Sequence, residues 1–151
     1  MSDITSATGV SKGAIYHHFP HKEAIGLDVV EENTLRLITA LQGISGSSAL
    51  APIPQIFNIF YAAALENETF SGNAVIAFNL EFRHDSNPFA QTLRTSLKQL
   101  MNAITAVTDV VSAEQILAEL IGAETTAPWS GAQQAFADAT ARVEAFVAHT
   151  T

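Results

Sequence analysis

The sequence predicts an all-α protein, and three observations support this fold class. With 48% hydrophobic and 15% charged residues, the chain of 151 residues can build a core and is not expected to be disordered. Apolar residues recur at spacings of three and four along most of its length, which indicates amphipathic helices. No convincing β-hairpin, internal repeat or low-complexity tract interrupts this pattern. The clearest apolar stripe follows Ser86-Asn87-Pro88 and consists of Phe89, Leu93, Leu97, Leu100, Ile104 and Val107.

Two short helices are predicted at the start of the chain. Residues 2–8 form a stub of helix that ends at Gly9, which can adopt positive φ without steric cost. Ser11 is a good N-cap for a second helix over residues 12–19, which Pro20 ends. This second helix has little apolar surface of its own, and its polar, aromatic and cationic side is suited to contact with another molecule.

A long helix is predicted over residues 22–42, followed by the likeliest boundary between domains. Residues 43–54 are rich in Gly, Ser and Pro, as loops and linkers are. The chain is therefore predicted to consist of two domains, residues 1–43 and residues 44–151.

The second domain is predicted to be a helical bundle. Residues 55–68 are apolar on most sides, as expected of a central helix. The alternation in residues 73–83 could suit a strand, but a helix is preferred because the surrounding segments are helical. Ser112 is the predicted N-cap of the next helix, residues 125–131 are a predicted break that contains Pro128, and the last helix is predicted over residues 132–147.

Charge and composition exclude several classes of protein. The formal net charge is −8, so the chain is not a basic nucleic-acid-binding domain, although residues 9–22 hold two Lys, three His and no carboxylate. Cysteine is absent, which excludes disulfides and thiolate metal sites and fits a cytoplasmic protein. The uncharged residues 37–65 are interrupted by Gly and Pro and are predicted to be buried helix, not a membrane span.

A family resemblance is carried by the first part of the chain, up to about residue 30. The residues concerned are Ile4, Gly9-Val10-Ser11, Gly13, Ile15-Tyr16, Phe19 and Lys22-Glu23. At this spacing, without a gap, the stretch resembles the helix-turn-helix of TetR-type transcriptional regulators. The resemblance implies a partial helix-turn-helix, followed by a helical bundle that binds a small-molecule effector and forms a homodimer.

Six residues are expected to contact double-stranded operator DNA. A helix in the major groove reads bases with side chains near its N-terminus, and phosphates bind N–H groups and cations at helix starts. Lys12 can reach a phosphate or a guanine, Tyr16 can donate its hydroxyl to a phosphate, and His17 can face bases. The family resemblance implies these same roles. The expected DNA-binding residues are Ser11, Lys12, Gly13, Tyr16, His17 and Lys22.

Two departures from the family pattern qualify this expectation. Family members have a further helix ahead of the position matched by Asp3, so Ile4, Val10, Ile15 and Phe19 are expected to lack their cover. We therefore hypothesise that the chain begins late and that residues 1–20 are loosely held or dependent on a partner. In addition, His21 stands where the family usually has a better N-cap such as Ser or Asn.

The effector pocket implied by the resemblance is expected to be apolar and aromatic. Any aromatic residue considered for this pocket could instead be an ordinary core residue, because aromatic side chains at helical spacing usually belong to the core. The candidate pocket residues are Phe57, Phe60, Tyr61, Phe78, Phe82, Phe89 and Trp129.

Other classes of function have weaker support. His17, His18 and His21 have metal-ligand spacing in part, but Pro20 separates them and no partner carboxylate is near. No nucleophile–base pair, phosphate loop or carboxylate dyad stands in a recognisable motif, so the chain is not expected to be an enzyme, and no cofactor or metal is expected. The sequence predicts a TetR-type DNA-binding transcriptional regulator that acts as a ligand-responsive repressor. The alternative is a truncated small-molecule-binding or dimerisation module that no longer binds operator DNA.

Overall fold

The all-α prediction is confirmed by the computed structural model, which describes residues 2–46, 48, 50–66 and 68–150. Eight helices and one small two-stranded sheet make up the regular structure of these residues. The helices are α1 Ser2–Thr8, α2 Lys12–His18, α3 Lys22–Gln42, α4 Pro52–Ala63, α5 Ala74–Glu81, α6 Pro88–Val107, α7 Val110–Ser130 and α8 Ala132–Thr150. The strands are β1 Leu65–Glu66 and β2 Thr69–Phe70.

One hydrophobic core joins α3 to α8. The most extensive helix pairs are α7 with α8, α3 with α6, and α4 with α8. An ion pair also links α7 to α8, because Arg142 Nη2 lies 2.7 Å from Glu119 Oε2. The largest fully buried side chains are Phe57, Phe60, Leu37, Leu41, Ile53, Ile56, Ile76, Leu93, Leu100, Ile104, Ile116 and Leu120.

The helix predicted after Ser86 is present as α6. Asn87 is its N-cap, and the Asn87 side chain accepts a hydrogen bond of 2.8 Å from the Ala90 N–H. Pro88 occupies the first helical position, where its missing N–H costs no helical hydrogen bond. The predicted stripe faces the core through Leu93, Leu100 and Ile104.

The segment after α4 differs from the prediction. The helix predicted over residues 55–68 runs instead from Pro52 to Ala63, and a β-hairpin that the sequence did not reveal follows it. Leu65 pairs with Phe70 and Glu66 with Thr69 in antiparallel register. Strands of two residues are too short to show an alternating pattern, so periodicity had nothing to detect.

Two predictions about α7 are wrong. Its N-cap is Asp109, whose carboxylate accepts a hydrogen bond of 2.9 Å from the Ser112 N–H, so Ser112 lies inside the first turn. The Ser112 hydroxyl also donates to Asp109, at 2.5 Å, and this bond together with the one from the N–H lowers the pKa of Asp109. The break predicted over residues 125–131 is also absent from the described helix, which continues through Pro128 to Ser130. Pro128 interrupts little because it lies in the last turn, where the buried Ala127 holds the helix against the core.

The helix preferred for residues 73–83 is confirmed as α5, and the last predicted helix is confirmed as α8. None of the described helices is long and apolar enough to cross a membrane.

Candidate nucleic-acid interface

Gly9 and Ser11 shape the turn between α1 and α2. Gly9 has a φ of 68°, in the left-handed region where a side chain would be strained. Ser11 then caps α2 as predicted, since its Oγ accepts a hydrogen bond of 3.2 Å from the Ala14 N–H. The Phe19 N–H donates to the Ile15 carbonyl at 2.8 Å and closes the C-terminal end of α2. Local hydrogen bonds therefore fix both ends of this short helix.

The side chains of α2 divide into one buried residue and an exposed side. Ile15 is the buried side chain among the seven residues of this helix, all of which are described. Lys12, Tyr16 and His17 are exposed, and Lys12 Nζ lies 6.0 Å from the centre of the Tyr16 ring. This side therefore presents a cation, a phenol and an imidazole together, all of which can contact phosphates or base edges.

Gly13 leaves an opening on the same helix. A Cβ added at Gly13 would meet no described atom within 4 Å, so packing inside the protein does not require a glycine here. Gly13 nevertheless costs helix stability relative to alanine. Close approach by another molecule is one reason for a protein to have glycine at such a position.

The start of α3 supplies the remaining predicted contact. Lys22 is exposed in the first turn, where the helix dipole also favours an anion. His21 occupies the N-cap position, but its side chain caps none of the described N–H groups. The structure thus places Ser11, Lys12, Gly13, Tyr16, His17 and Lys22 at the surface of one short stretch.

Three of the predicted pocket aromatics come together beside this stretch. The Phe82 ring lies 6.2 Å from Phe78 and 5.0 Å from Phe89, measured between ring centres. The cluster lines a cavity of about 400 Å³ between α3, α5 and the start of α6. Lys22 and Gly26 of α3 line the same cavity, which we call the aromatic cavity.

Comparison with known proteins identifies the first part of the chain. The family model described as "Bacterial regulatory proteins, tetR family" matches residues 1–29, which span α1, α2 and the first turns of α3. This match and the relative described next support membership of the TetR family. All six residues of the exposed stretch described above lie within the matched segment.

A curated relative extends the likeness beyond this module. The HTH-type transcriptional repressor DhaR of Mycobacterium sp. (strain GP1) is 30% identical over 100 residues, which are 66% of this chain and 48% of DhaR. The chain therefore aligns with about half the length of this relative. No solved structure matches the chain significantly.

The other predicted pocket aromatics do not lie at the aromatic cavity. Phe57 and Phe60 are fully buried core residues. Tyr61 packs against Phe136 of α8, with ring centres 5.4 Å apart. Trp129 is 79% exposed near the end of α7, so the structure does not place it in a pocket of the described chain. Because α7 continues past Pro128, Trp129 projects from a helix instead of folding back in a loop.

The sequence did not predict the partly buried carboxylate of Glu124. Glu124 of α7 accepts a hydrogen bond of 3.1 Å from the Asn73 N–H and another from the Asn73 side-chain amide. Burial raises the pKa of Glu124 to about 7, although both hydrogen bonds act in the opposite direction. Asn33 of α3 accepts a bond of 3.2 Å from the Val75 N–H, so side chains from α3 and α7 together hold the start of α5.

The histidines considered as metal ligands do not form a site with carboxylates. Among the described residues, no group of three His, Asp or Glu side chains is arranged to hold a metal ion. His17 and His18 instead contact each other edge to face, with ring centres 5.1 Å apart.

Proposed function

We propose that this chain is a DNA-binding transcriptional regulator of the TetR family, acting as a repressor that a small molecule controls. The observation that carries the proposal is the exposed stretch of six residues on α2 and at the start of α3, inside the segment that the family model matches. The name of DhaR, a transcriptional repressor, supports the same function. Because the chain covers about half of DhaR, repression is an inference from the relative.

The chemistry of the stretch suits operator DNA. Lys12 and Lys22 supply positive charge for phosphates, and Ser11 orders the N-terminus of α2 for insertion into the major groove. The body of the chain carries most of the acid, so the net charge of −8 opposes non-specific binding. We therefore expect affinity to depend on these few contacts and to fall steeply with salt.

DNA binding can be tested without knowing the operator. A pool of random-sequence duplexes is selected on the purified chain, and the recovered duplex is titrated by fluorescence anisotropy. K12A and H17A are compared with K98A, a matched control on the exposed side of α6. We expect K12A to weaken binding and to reduce its salt dependence by about one phosphate contact. Failure to recover any duplex would favour the alternative function, a truncated small-molecule-binding or dimerisation module that no longer binds operator DNA.

The homodimer is proposed from exposed apolar residues on α7. Three large apolar side chains of this helix are exposed: Val110 and Val111 at its start, and Trp129 near its end. Large exposed apolar side chains are typical of surfaces that another chain covers. A second copy related by a twofold axis could cover them, and it would present two recognition helices to one operator.

The effector is proposed to bind at the aromatic cavity. A ligand there would touch Phe78 and Phe82 of α5 and also Lys22, which is a proposed DNA contact. Binding could therefore change the position of α3 relative to DNA and lower the affinity for the operator. The cytoplasm is the proposed compartment, since that is where a transcriptional regulator meets DNA. Replacing Gly26 with leucine should fill the cavity and make DNA binding insensitive to effectors found by screening.

A further inference from the structure

Two further cavities lie on the side of α5 that faces away from the aromatic cavity. One of about 240 Å³ lies between α5, α6 and α7, and one of about 280 Å³ lies between α5, the hairpin and α7. Ile76 and Leu80 line both of them. The two cavities share these walls, and we refer to them together as the α5–α7 cleft. Small-molecule sites have volumes of roughly 300–1,000 Å³.

The walls of this α5–α7 cleft are apolar. Leu97 of α6 and Ile121 of α7 complete the wall begun by Ile76 and Leu80. Asn79 also lines the cleft, but its amide already donates to the Val75 carbonyl at 2.7 Å and to the Leu93 carbonyl at 2.9 Å. The wall therefore favours an aliphatic or aromatic body over a polar one.

Two arginines lie at one end of the α5–α7 cleft. Arg83 donates to the Leu80 carbonyl at 2.7 Å, and Arg94 donates to the Asp85 carbonyl at 3.0 Å. Each guanidinium has further N–H donors, and neither forms an ion pair with a carboxylate among the described residues. Arg142, by contrast, is paired with Glu119. Two of the seven basic residues of an acidic chain thus lie together at one cleft without an acidic partner.

We propose that the α5–α7 cleft binds a small monocarboxylate with an apolar body. The carboxylate would lie on Arg83 and Arg94, because guanidinium groups bind carboxylates through paired hydrogen bonds. The apolar body would extend along Ile76 and Leu80. Glu124 lines the adjoining cavity, so a second carboxylate at the far end of the ligand would meet an acidic group.

This site goes beyond the proposed function, because neither DNA binding nor the aromatic cavity is needed for it. It is tested by calorimetric titration of the whole chain, without DNA, using sodium octanoate as the probe. Octanamide has the same apolar body without the charge, and octanedioate adds a second carboxylate. We expect octanoate to bind about tenfold or more tightly than octanamide, because a hydrogen bond to a charged group is stronger than one to a neutral group. At pH 8, where Glu124 is ionised, octanedioate should also bind more weakly than octanoate, because its second carboxylate would meet a like charge.

Variants of the exposed arginines locate the binding. R83Q and R94Q should each weaken octanoate binding about tenfold, whereas K98Q, a control on α6 outside the cleft, should leave it unchanged. Unchanged thermal melting would show that the variants fold. Octanamide binding as tight as octanoate, or octanoate binding unaffected by R83Q and R94Q, would overturn the proposal. Loss of DNA binding in the separate operator assay would leave this result untouched and would count only against the proposed function.

Discussion

Glu124 accepts hydrogen bonds from both the backbone N–H and the side-chain amide of Asn73, which lies 51 residues earlier in the chain. These hydrogen bonds connect α7 to the N-cap residue of α5, and α5 also lines the aromatic cavity. The Asn73 side chain is fully buried, and its Oδ1 has no hydrogen-bond partner among the described residues. The start of α5 therefore depends on a partly desolvated carboxylate as well as on Asn33.

The first prediction concerns the effect of pH on stability. The pKa of Glu124 is raised from 4.5 to about 7, so the folded state binds this proton more tightly than the unfolded state does. Stability from this group is therefore fully present below pH 4.5 and is lost as the pH rises towards 7. The loss should be on the order of 3 kcal/mol, at about 1.4 kcal/mol for each pKa unit.

Urea unfolding at several pH values between 4.5 and 8 measures this effect. E124Q cannot ionise at this position and should flatten the decline, whereas the exposed E114Q, on the same helix, should retain it. An equal decline in E124Q and the unaltered chain would show that Glu124 is not the group responsible.

The contact between Asn73 and Glu124 also shows why part of the structure could not be predicted from the sequence. Asn87-Pro88 predicts the start of α6 correctly because the capping signal lies within four residues of the helix that it starts. Glu124 has no such local signal, since its environment is created by Asn73 from a distant element. Its raised pKa is a property of packing and has no counterpart in the pattern of α7.

A similar limit applies to the termini of α7 and to the candidate site. Asp109 and Ser112 are both good N-caps three residues apart, and only the observed hydrogen bond decides between them. The exposed stretch on α2 was predictable because its residues are adjacent in sequence. The meeting of Phe78, Phe82 and Phe89 depends on how α5 and α6 pack, so the sequence could suggest the aromatic residues without selecting these three.

The second prediction separates stability from DNA binding at Gly13. G13A should stabilise the chain by roughly 0.5–1 kcal/mol, since alanine favours a helix and its Cβ would meet no described atom within 4 Å. The same Cβ should weaken binding to the selected duplex if the DNA backbone approaches α2 at this point. G122A is the matched control, because it also adds a Cβ in open space within a helix but lies on α7. Equal DNA affinity of G13A and the unaltered chain would exclude close approach at Gly13.

The third prediction concerns the N-cap of α3. His21 makes no side-chain capping bond to the described N–H groups, so H21N should supply one and raise the free energy of unfolding by about 1 kcal/mol. Urea unfolding measures the gain. H84N, in the exposed turn after α5, provides the same chemical change without a helix to cap and should have little effect. A gain of the same size in both variants would mean that capping is not its cause.

The last prediction uses Trp129 as a probe of the proposed homodimer. It is the single tryptophan of the chain and is 79% exposed, so its fluorescence should be that of a water-exposed indole in a dilute monomer. If a second copy covers α7, the emission should shift to shorter wavelength as protein concentration rises, in step with the mass measured by light scattering. W129S should dissociate the dimer while leaving the stability of the monomer nearly unchanged, because little apolar area is lost from the monomer core.

V110S provides a second test at the other end of α7, where Val110 is also exposed. A chain that remains monomeric at high concentration, or a W129S dimer as stable as the original, would show that this end of α7 is not part of an interface between copies.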